Sequence, residues 1–160
     1  MSLSLRSPAK LNLYLRVLRK RPDGFHEIKT IFQRISLYDT ITFSSNTSGQ
    51  IKISCAHPHV PVGPKNLVYK VANLLREKFC ISHGVNIRIQ KRIPVAAGLA
   101  GGSTNAATAI LGLNKLWKLQ LSKPKMCNIA RKIGSDVAFF LHDTSWALGT
   151  SRGDVIRPLK

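Results

Sequence analysis

The sequence has few acidic residues, few cysteines and no long apolar run. Seven Asp and Glu stand against 25 Lys and Arg, so the formal net charge at pH 7 is +18 with His neutral. Cys55, Cys80 and Cys127 are too few and too scattered for a disulfide framework, which favours a reducing cytoplasm. No apolar run approaches about 18 residues, so no membrane-spanning helix is expected. Residues 1–10 lack the apolar core of a secretory signal.

We therefore expect a cytoplasmic protein. A plastid setting stays open, although no transit peptide is seen. The 160 residues, 44% of them hydrophobic, are enough for one domain with a buried core. The excess of positive charge indicates an anionic partner such as nucleic acid, nucleotide phosphates or an acidic membrane surface.

The spacing of apolar residues predicts an α+β fold. Strict alternation over residues 11–17 predicts a half-buried strand. Further strands are predicted at 28–37, 40–43, 51–55, 85–89, 145–148 and 155–156. Helical spacing predicts three helices, at 67–79 with Asn66 as N-cap, at 105–116 and at 124–133. Because the strands come first and the helices mix in later, we expect a largely antiparallel sheet packed on helices.

A small, glycine-rich segment lies between the predicted strand at 85–89 and the predicted helix at 105–116. Small residues let backbone N–H groups approach an anion, and the helix adds its positive N-terminal end. Ser103 and Thr104 could donate hydroxyl hydrogen bonds to phosphate oxygens. The segment is neither a Walker A loop nor the dinucleotide fingerprint, and a tight strand-to-helix turn is the structural alternative. The candidate phosphate-binding residues are Pro94, Val95, Ala96, Ala97, Gly98, Leu99, Ala100, Gly101, Gly102, Ser103 and Thr104.

This segment resembles the phosphate loop of the GHMP kinases. Three more motifs agree in order and spacing with family members that act on a cytidine-diphosphate-linked methylerythritol in the non-mevalonate isoprenoid pathway. They are SPAKLNLYL at 7–15, RPDGFHE at 21–27 and IGSDVAFF at 133–140. The resemblance covers essentially the whole chain. It implies a GHMP N-terminal domain over 1–160, with a ribosomal-protein-like fold, that takes ATP and Mg²⁺ and helps phosphorylate a hydroxyl of that small molecule.

The resemblance also implies the catalytic roles. Asp136 corresponds to the carboxylate that takes the hydroxyl proton, and Lys10 to the lysine that pairs with it and stabilises charge on the transferring group. The structural alternatives are an N-cap for Asp136 and a solvent-pointing strand residue for Lys10. Asn12 shares the face of Lys10 along the strand, so it would bind substrate in the same cleft.

Other residues receive binding roles from the same resemblance. Phe25 would stack on the cytosine ring, and His26 would hydrogen-bond it. The structural alternatives are ordinary core packing for Phe25 and a capped turn position for His26. Asn66 and Lys91 lie where the family contacts the nucleotide.

Metal ligands are not predicted for the Mg²⁺ that accompanies ATP, because phosphate oxygens and water would largely hold the ion. Cys55, His57 and His59 lie close together in sequence. They lack a fourth partner at zinc spacing, so we expect no metal there.

The sequence also departs from the family. Ala96, Ala97 and Ala100 occupy sites where glycine is usual, and alanine resists positive φ, so the loop should be distorted if its backbone needs that conformation. Asp154 stands where the family commonly has Gly-x-Gly-Glu. The family carries a second domain, and this chain stops at Lys160. We therefore expect a fragment or a prematurely ended reading frame, without the second aromatic residue of the cytosine site and with an exposed apolar face that favours a homodimer.

Two other functions remain as alternatives. The first is a basic RNA-binding module of the same fold, which the net charge of +18 favours. RNA binders tend to array exposed aromatics on a sheet, whereas aromatics are only 7% here, and they have no need of the loop together with Lys10 and Asp136. Nucleic acid is therefore not the expected partner. The second is a GHMP kinase acting on homoserine or mevalonate, which the motif at 21–27 argues against.

Overall fold

The molecule is built on a six-stranded sheet with helices packed against it. The computed structural model describes residues 2–159. The strands are β1 (Ser2–Lys20), β2 (His26–Asn46), β3 (Ile51–Cys55), β4 (Gly84–Gln90), β5 (Trp146–Thr150) and β6 (Val155–Leu159). The helices are α1 (Leu67–Lys78), α2 (Gly101–Leu116), α3 (Lys123–Ile133) and a 3₁₀ helix (Ser135–Leu141).

Strand β2 organises the sheet. Its 21 residues pair with β1 along one edge, while the other edge pairs with β4 over Thr40–Asn46 and with β5 over Thr30–Gln33. All pairings are antiparallel except that between β3 and β4. The α+β fold with a largely antiparallel sheet is therefore confirmed.

The core lies between the sheet and the helices. Alternate side chains of β4 are buried, as expected for a strand with one covered face. Phe43 of β2 packs so closely on α2 that only glycine fits at position 112. Helix α1 begins at the predicted N-cap, because the Asn66 side chain accepts a 2.8 Å hydrogen bond from the backbone N–H of Val68.

Several predicted boundaries were wrong. The strands predicted at 28–37 and 40–43 are one continuous strand, and α2 begins at Gly101 rather than at residue 105. The alternating residues 11–17 form a strand, but both faces of it are exposed, with Leu13 51% and Val17 59% exposed. Alternation predicted the strand correctly. It predicted a half-buried strand incorrectly, because no helix covers this half of β1.

Within residues 2–159, no helix combines the length and the apolar character needed to cross a membrane.

Candidate functional site

A cleft of about 610 Å³ opens beside the glycine-rich loop. Its walls are the loop at 94–100, the first residues of α2, the segment 59–67 that leads into α1, and the middle of β1. The sequence-predicted residues that line it are Lys10, Asn12, Asn66, Lys91, Pro94, Val95, Ala96, Ala97, Gly98, Leu99, Ala100, Gly101, Gly102 and Asp136. The fold thus gathers most of the predicted site from five separate parts of the chain.

The start of α2 presents the positive end of a helix dipole to the cleft. The helix begins after Ala100, which has no side-chain cap, and its first turn contains no acidic residue. Gly101 and Gly102 line the cleft. Unpaired N–H groups and the positive end of the helix dipole therefore lie where an anion could bind.

Lys10 and Asp136 meet in the same cleft, beside the glycine-rich loop. The Nζ of Lys10 lies 3.3 Å from Oδ2 of Asp136, and it also donates a 3.2 Å hydrogen bond to the carbonyl of Gly98. The side chain of Lys10 is 5% exposed and that of Asp136 is 31% exposed. Lys10 is therefore not a solvent-pointing strand residue, and it connects the carboxylate to the glycine-rich loop.

Asp136 does not act as a helix cap. The N-cap of the 3₁₀ helix is Gly134, and Asp136 lies inside its first turn. The side chain is therefore available to the cleft and to Lys10.

Asn12 extends the same polar group along β1. Its Oδ1 accepts a hydrogen bond from Lys10 Nζ, and its Nδ2 donates a 2.7 Å bond to the hydroxyl of Thr30. That hydroxyl donates in turn to the carbonyl of Tyr14 at 2.7 Å. The chain of bonds fixes Asn12 beside Lys10, on the face that the strand alternation predicts.

The predicted cytosine turn lies outside the cleft walls. Phe25 is 50% exposed, His26 is exposed, and the guanidinium of Arg152 lies 4.9 Å from the centre of the Phe25 ring. The turn is tied to the β5–β6 turn because Arg21 donates a 2.8 Å hydrogen bond to Ser151. Arg152 in turn contacts Asp154 at 3.1 Å, which gives Asp154 a local structural role.

An ion pair stiffens the same turn. Arg21 donates to Asp23 through Nε at 3.1 Å and through Nη2 at 2.9 Å. These hydrogen bonds lower the pKa of the Asp23 carboxyl below its ordinary value and raise that of Arg21.

Ser103 and Thr104 do not line the cleft. Thr104 is buried, and its hydroxyl accepts a 3.1 Å hydrogen bond from Ser7. The hydroxyl of Thr104 therefore faces β1, because α2 starts three residues before it, and its contact with phosphate stays a prediction.

Asn66 and Lys91 both line the cleft, and the side chains of both already make hydrogen bonds within the protein. Asn66 caps α1 and donates a 2.6 Å hydrogen bond to the carbonyl of Pro61. Lys91 pairs with Asp39 at 2.5 Å, with the lysine side chain 6% exposed and the carboxylate fully buried. Sequence reasoning missed Asp39. The available signal was an acidic residue between two apolar alternating stretches, in a chain with seven acids.

Metal-binding groups are scarce. Within residues 2–159, no cluster of three His, Cys, Asp or Glu side chains could hold a metal ion. Asp136 is the only carboxylate among the residues that line the cleft.

Comparison with known proteins agrees with this architecture. A family model described as GHMP kinases N terminal domain matches residues 66–144. The 4-diphosphocytidyl-2-C-methyl-D-erythritol kinase of Geobacillus kaustophilus is 49% identical over 160 residues, which cover 99% of this chain and 55% of that protein. The enzyme of the same name from Shouchella clausii is 44% identical over 159 residues, covering 99% of this chain and 53% of that protein.

Solved structures give the same relationship. A crystal structure of 4-(cytidine 5'-diphospho)-2C-methyl-D-erythritol kinase superposes with a TM-score of 0.83 at 36% identity, covering 98% of this chain and 55% of that one. Homoserine kinase from Cytophaga hutchinsonii superposes with a TM-score of 0.76 at 17% identity, covering 99% of this chain and 51% of that one, a likeness of fold alone.

Fold and cleft define an α+β domain in which a glycine-rich loop and a helix N terminus form one wall of the site. In sequence and in fold the chain matches the N-terminal domain of the GHMP kinases. It spans about half the length of the curated relatives it matches.

Proposed function

We propose that this chain supplies the ATP-binding and catalytic residues of a 4-diphosphocytidyl-2-C-methyl-D-erythritol kinase, an enzyme of isoprenoid synthesis by the non-mevalonate pathway. The observation that carries the proposal is the Lys10–Asp136 pair, at 3.3 Å, in the same cleft as the glycine-rich loop. Relatives at 44% and 49% identity bear that enzyme's name. The ATP phosphates would bind the loop and the first N–H groups of α2.

The reaction transfers the γ-phosphoryl group of ATP to a hydroxyl of the acceptor. A bond forms between the acceptor oxygen and the γ-phosphorus, the bond from that phosphorus to ADP breaks, and Asp136 accepts the hydroxyl proton. Lys10 orients Asp136 and stabilises negative charge on the transferring group. Its hydrogen bond to the Gly98 carbonyl keeps this ammonium beside the phosphate loop.

Mg²⁺ fits this site as an ion held mainly by phosphate oxygens and water, because the cleft offers Asp136 as its single lining carboxylate. Bound there, the ion would neutralise phosphate charge. The protein side chains of the cleft then position the nucleotide and the acceptor.

The acceptor's cytosine would bind at the turn that carries Phe25 and His26. Phe25 offers a half-exposed ring for stacking, and His26 follows it at the start of β2. Asn12, fixed by Lys10 and Thr30, would hydrogen-bond the methylerythritol part.

Two alternatives from the sequence are less well supported. A basic RNA-binding module does not require an ion pair such as Lys10–Asp136 inside a cleft. Another GHMP specificity, such as homoserine, is represented among the structural neighbours only at low identity. The proposed partners are therefore ATP and a small molecule, in the cytoplasm, with residues 1–160 acting as an N-terminal domain.

The test is kinase activity of this chain joined to the part of the Geobacillus kaustophilus relative that follows the matched region. We expect this fusion to release ADP with the cytidine-linked acceptor. Asp136→Asn should lower kcat by roughly 10²–10⁴, the usual scale for loss of a general base, while ATP affinity barely changes. Without the added part, the chain should bind ATP weakly and turn over negligibly, because positioning of donor and acceptor would be incomplete.

The control is Asp143→Asn, which removes an exposed acid outside the cleft and should keep full turnover. Near-normal turnover by Asp136→Asn would reject the base role. Robust turnover by the 160-residue chain alone would show that one domain suffices.

A further inference from the structure

A buried carboxylate behind the cleft holds in place the chain segment that leads into the glycine-rich loop. Asp39 is 0% exposed and lies on β2, directly opposite Ser7 of β1. Its Oδ1 accepts hydrogen bonds from the backbone N–H groups of Arg92 and Ile93, at 2.7 and 2.8 Å. Both residues belong to the short segment between β4 and the glycine-rich loop. One oxygen of Asp39 thus fixes the path by which the chain enters that loop.

The other oxygen of Asp39 faces two side chains at the cleft. Oδ2 accepts from Nζ of Lys91 at 2.5 Å and from Nδ2 of Asn105 at 2.9 Å. Asn105 is nearly buried in α2 and also donates a 2.9 Å bond to Ser7. The carboxylate therefore joins the segment after β4 to α2, and Asn105 extends the contact to Ser7 of β1.

Lys91 occupies an electrostatically unusual place. A β-carbon built on Gly101 would lie 2.8 Å from its Nζ, so the ammonium sits against the first residue of α2. A cation is unfavourable at a helix N terminus, whose partial charge is already positive. A buried ammonium also needs a charged partner. Asp39 meets both needs.

Lys91 retains donors for such a ligand. An ammonium has three N–H donors. Within residues 2–159, the ammonium of Lys91 makes one hydrogen bond, to Asp39. Lys91 lines the cleft together with Gly101 and Asn105. We propose that Asp39 is a positioning residue that holds the ammonium of Lys91 against the α2 N terminus for contact with ATP phosphate oxygens. The inference rests on the proposed function of the cleft.

The test is a double-mutant cycle on ATP affinity, measured from the ATP-dependent rise in Tm of the 160-residue chain. Asp39→Asn is nearly isosteric and removes the charge that holds Lys91. We expect it to weaken ATP binding by about tenfold, the scale of one charge-assisted hydrogen bond. In a Lys91→Met background, the same change at Asp39 should alter ATP affinity less than about twofold, because its effect passes through Lys91. Asp143→Asn is the matched control for loss of one acid.

Loss of the carboxylate alone leaves Lys91 buried without its partner, so Asp39→Asn could fail to fold. Asp39→Glu, which keeps the charge and moves the carboxylate by one methylene, then takes its place in the same cycle. An equal loss of ATP affinity with and without Lys91 would overturn the inference and reduce Asp39 to a support of the loop. Unchanged affinity in the single variant would also overturn it. Absence of ATP binding by the wild-type chain at any concentration would contradict the proposed function of the cleft and, with it, this inference.

Discussion

Two alanines in the glycine-rich loop adopt a backbone conformation that favours glycine. Ala96 has φ 60° and Ala100 has φ 55°, whereas Ala97 does not have a positive φ. The loop is therefore folded as if glycine stood at 96 and 100. Each alanine there bears a steric cost of about 1–2 kcal/mol.

Glycine at position 100 should stabilise the fold. Relief of the left-handed strain outweighs the extra freedom that glycine gives the unfolded chain, which costs about 0.4–1 kcal/mol. We expect Ala100→Gly to raise the free energy of unfolding by about 0.5–1 kcal/mol in urea denaturation. Ala97→Gly, the same change in the same loop, should lower it by a similar amount, because no strain is relieved there. A stabilisation by Ala97→Gly equal to that by Ala100→Gly would contradict the strain argument.

Residues defined by a local motif were predictable, and those defined by tertiary burial were not. The motifs at 7–15 and 133–140 indicated Lys10 and Asp136, which the fold brings to 3.3 Å. Asp39 carries no motif of its own, because its four donors come from distant parts of the chain. The contact of Thr104 with Ser7 was not predictable because its orientation depends on where α2 begins, and helix starts in glycine-rich sequence lack a propensity signal.

At the scale of elements, the packing of α2 on β2 depends on one small residue. A β-carbon on Gly112 would lie 2.5 Å from Cε2 and 2.7 Å from Cζ of Phe43. Phe43 is fully buried, so its ring has little room to move. The helix must therefore approach the sheet through a glycine, although glycine weakens a helix interior.

Alanine at position 112 should destabilise the protein despite its better helix propensity. We expect Gly112→Ala to lower the free energy of unfolding by about 1–3 kcal/mol, the usual cost of overpacking. Gly102→Ala in the same helix meets only the Cδ1 of Leu67 at 3.7 Å, so it should be neutral or stabilising. Denaturant midpoints of the two variants provide the comparison. Equal stability of both would show that Phe43 can move aside.

The end of the 3₁₀ helix carries a pH-sensitive group. Burial lowers the pKa of His142 below 6.5, and the nearby charges of Lys123, Arg131 and Arg34 add to the effect. In the unfolded chain the imidazole takes up a proton near its ordinary value, so below about pH 6.5 the unfolded state binds more protons than the folded state. Stability should therefore fall as pH falls through that range.

Replacement of this imidazole should reduce the acid sensitivity. We expect His142→Gln to flatten the decline in Tm between about pH 6.5 and pH 5, with little change in slope above about pH 7. His83→Gln, at an exposed loop position, controls for the loss of one histidine. If His142→Gln retained the full wild-type decline, other groups would have to cause it.

The sequence predicted most elements but not how they cover one another. Alternation and helical spacing located β1, β4 and α1 because local periodicity records which side chains are apolar. Local periodicity does not show which face of a strand or helix is covered by another element. Asp39 also interrupts an apolar pattern, so the sequence predicted a break at a point where β2 continues through this buried residue.

On the scale of the whole molecule, one part of the sheet has an exposed apolar surface. Six large apolar side chains of β1 are more than a third exposed, namely Leu11, Leu13, Tyr14, Leu15, Val17 and Leu18. Beyond its pairing with β2, β1 has no second strand partner among residues 2–159. An open strand edge with an apolar surface favours association, whereas the net charge of +18 opposes it by repulsion.

The balance of these two effects should make self-association depend on salt. We expect sedimentation velocity to show mainly monomer at about 0.05 M salt and a growing fraction of dimer or larger species at about 0.5 M, where charges are screened. The triple variant Leu13→Thr, Leu15→Thr, Val17→Thr removes three of the most exposed side chains, which are 51%, 55% and 59% exposed, and it should stay monomeric at both salt concentrations. Val62→Thr changes a loop valine that is 50% exposed and should associate like the wild type. A wild-type chain that remained monomeric at high salt would show that the positive charge is not what keeps the β1 surfaces apart.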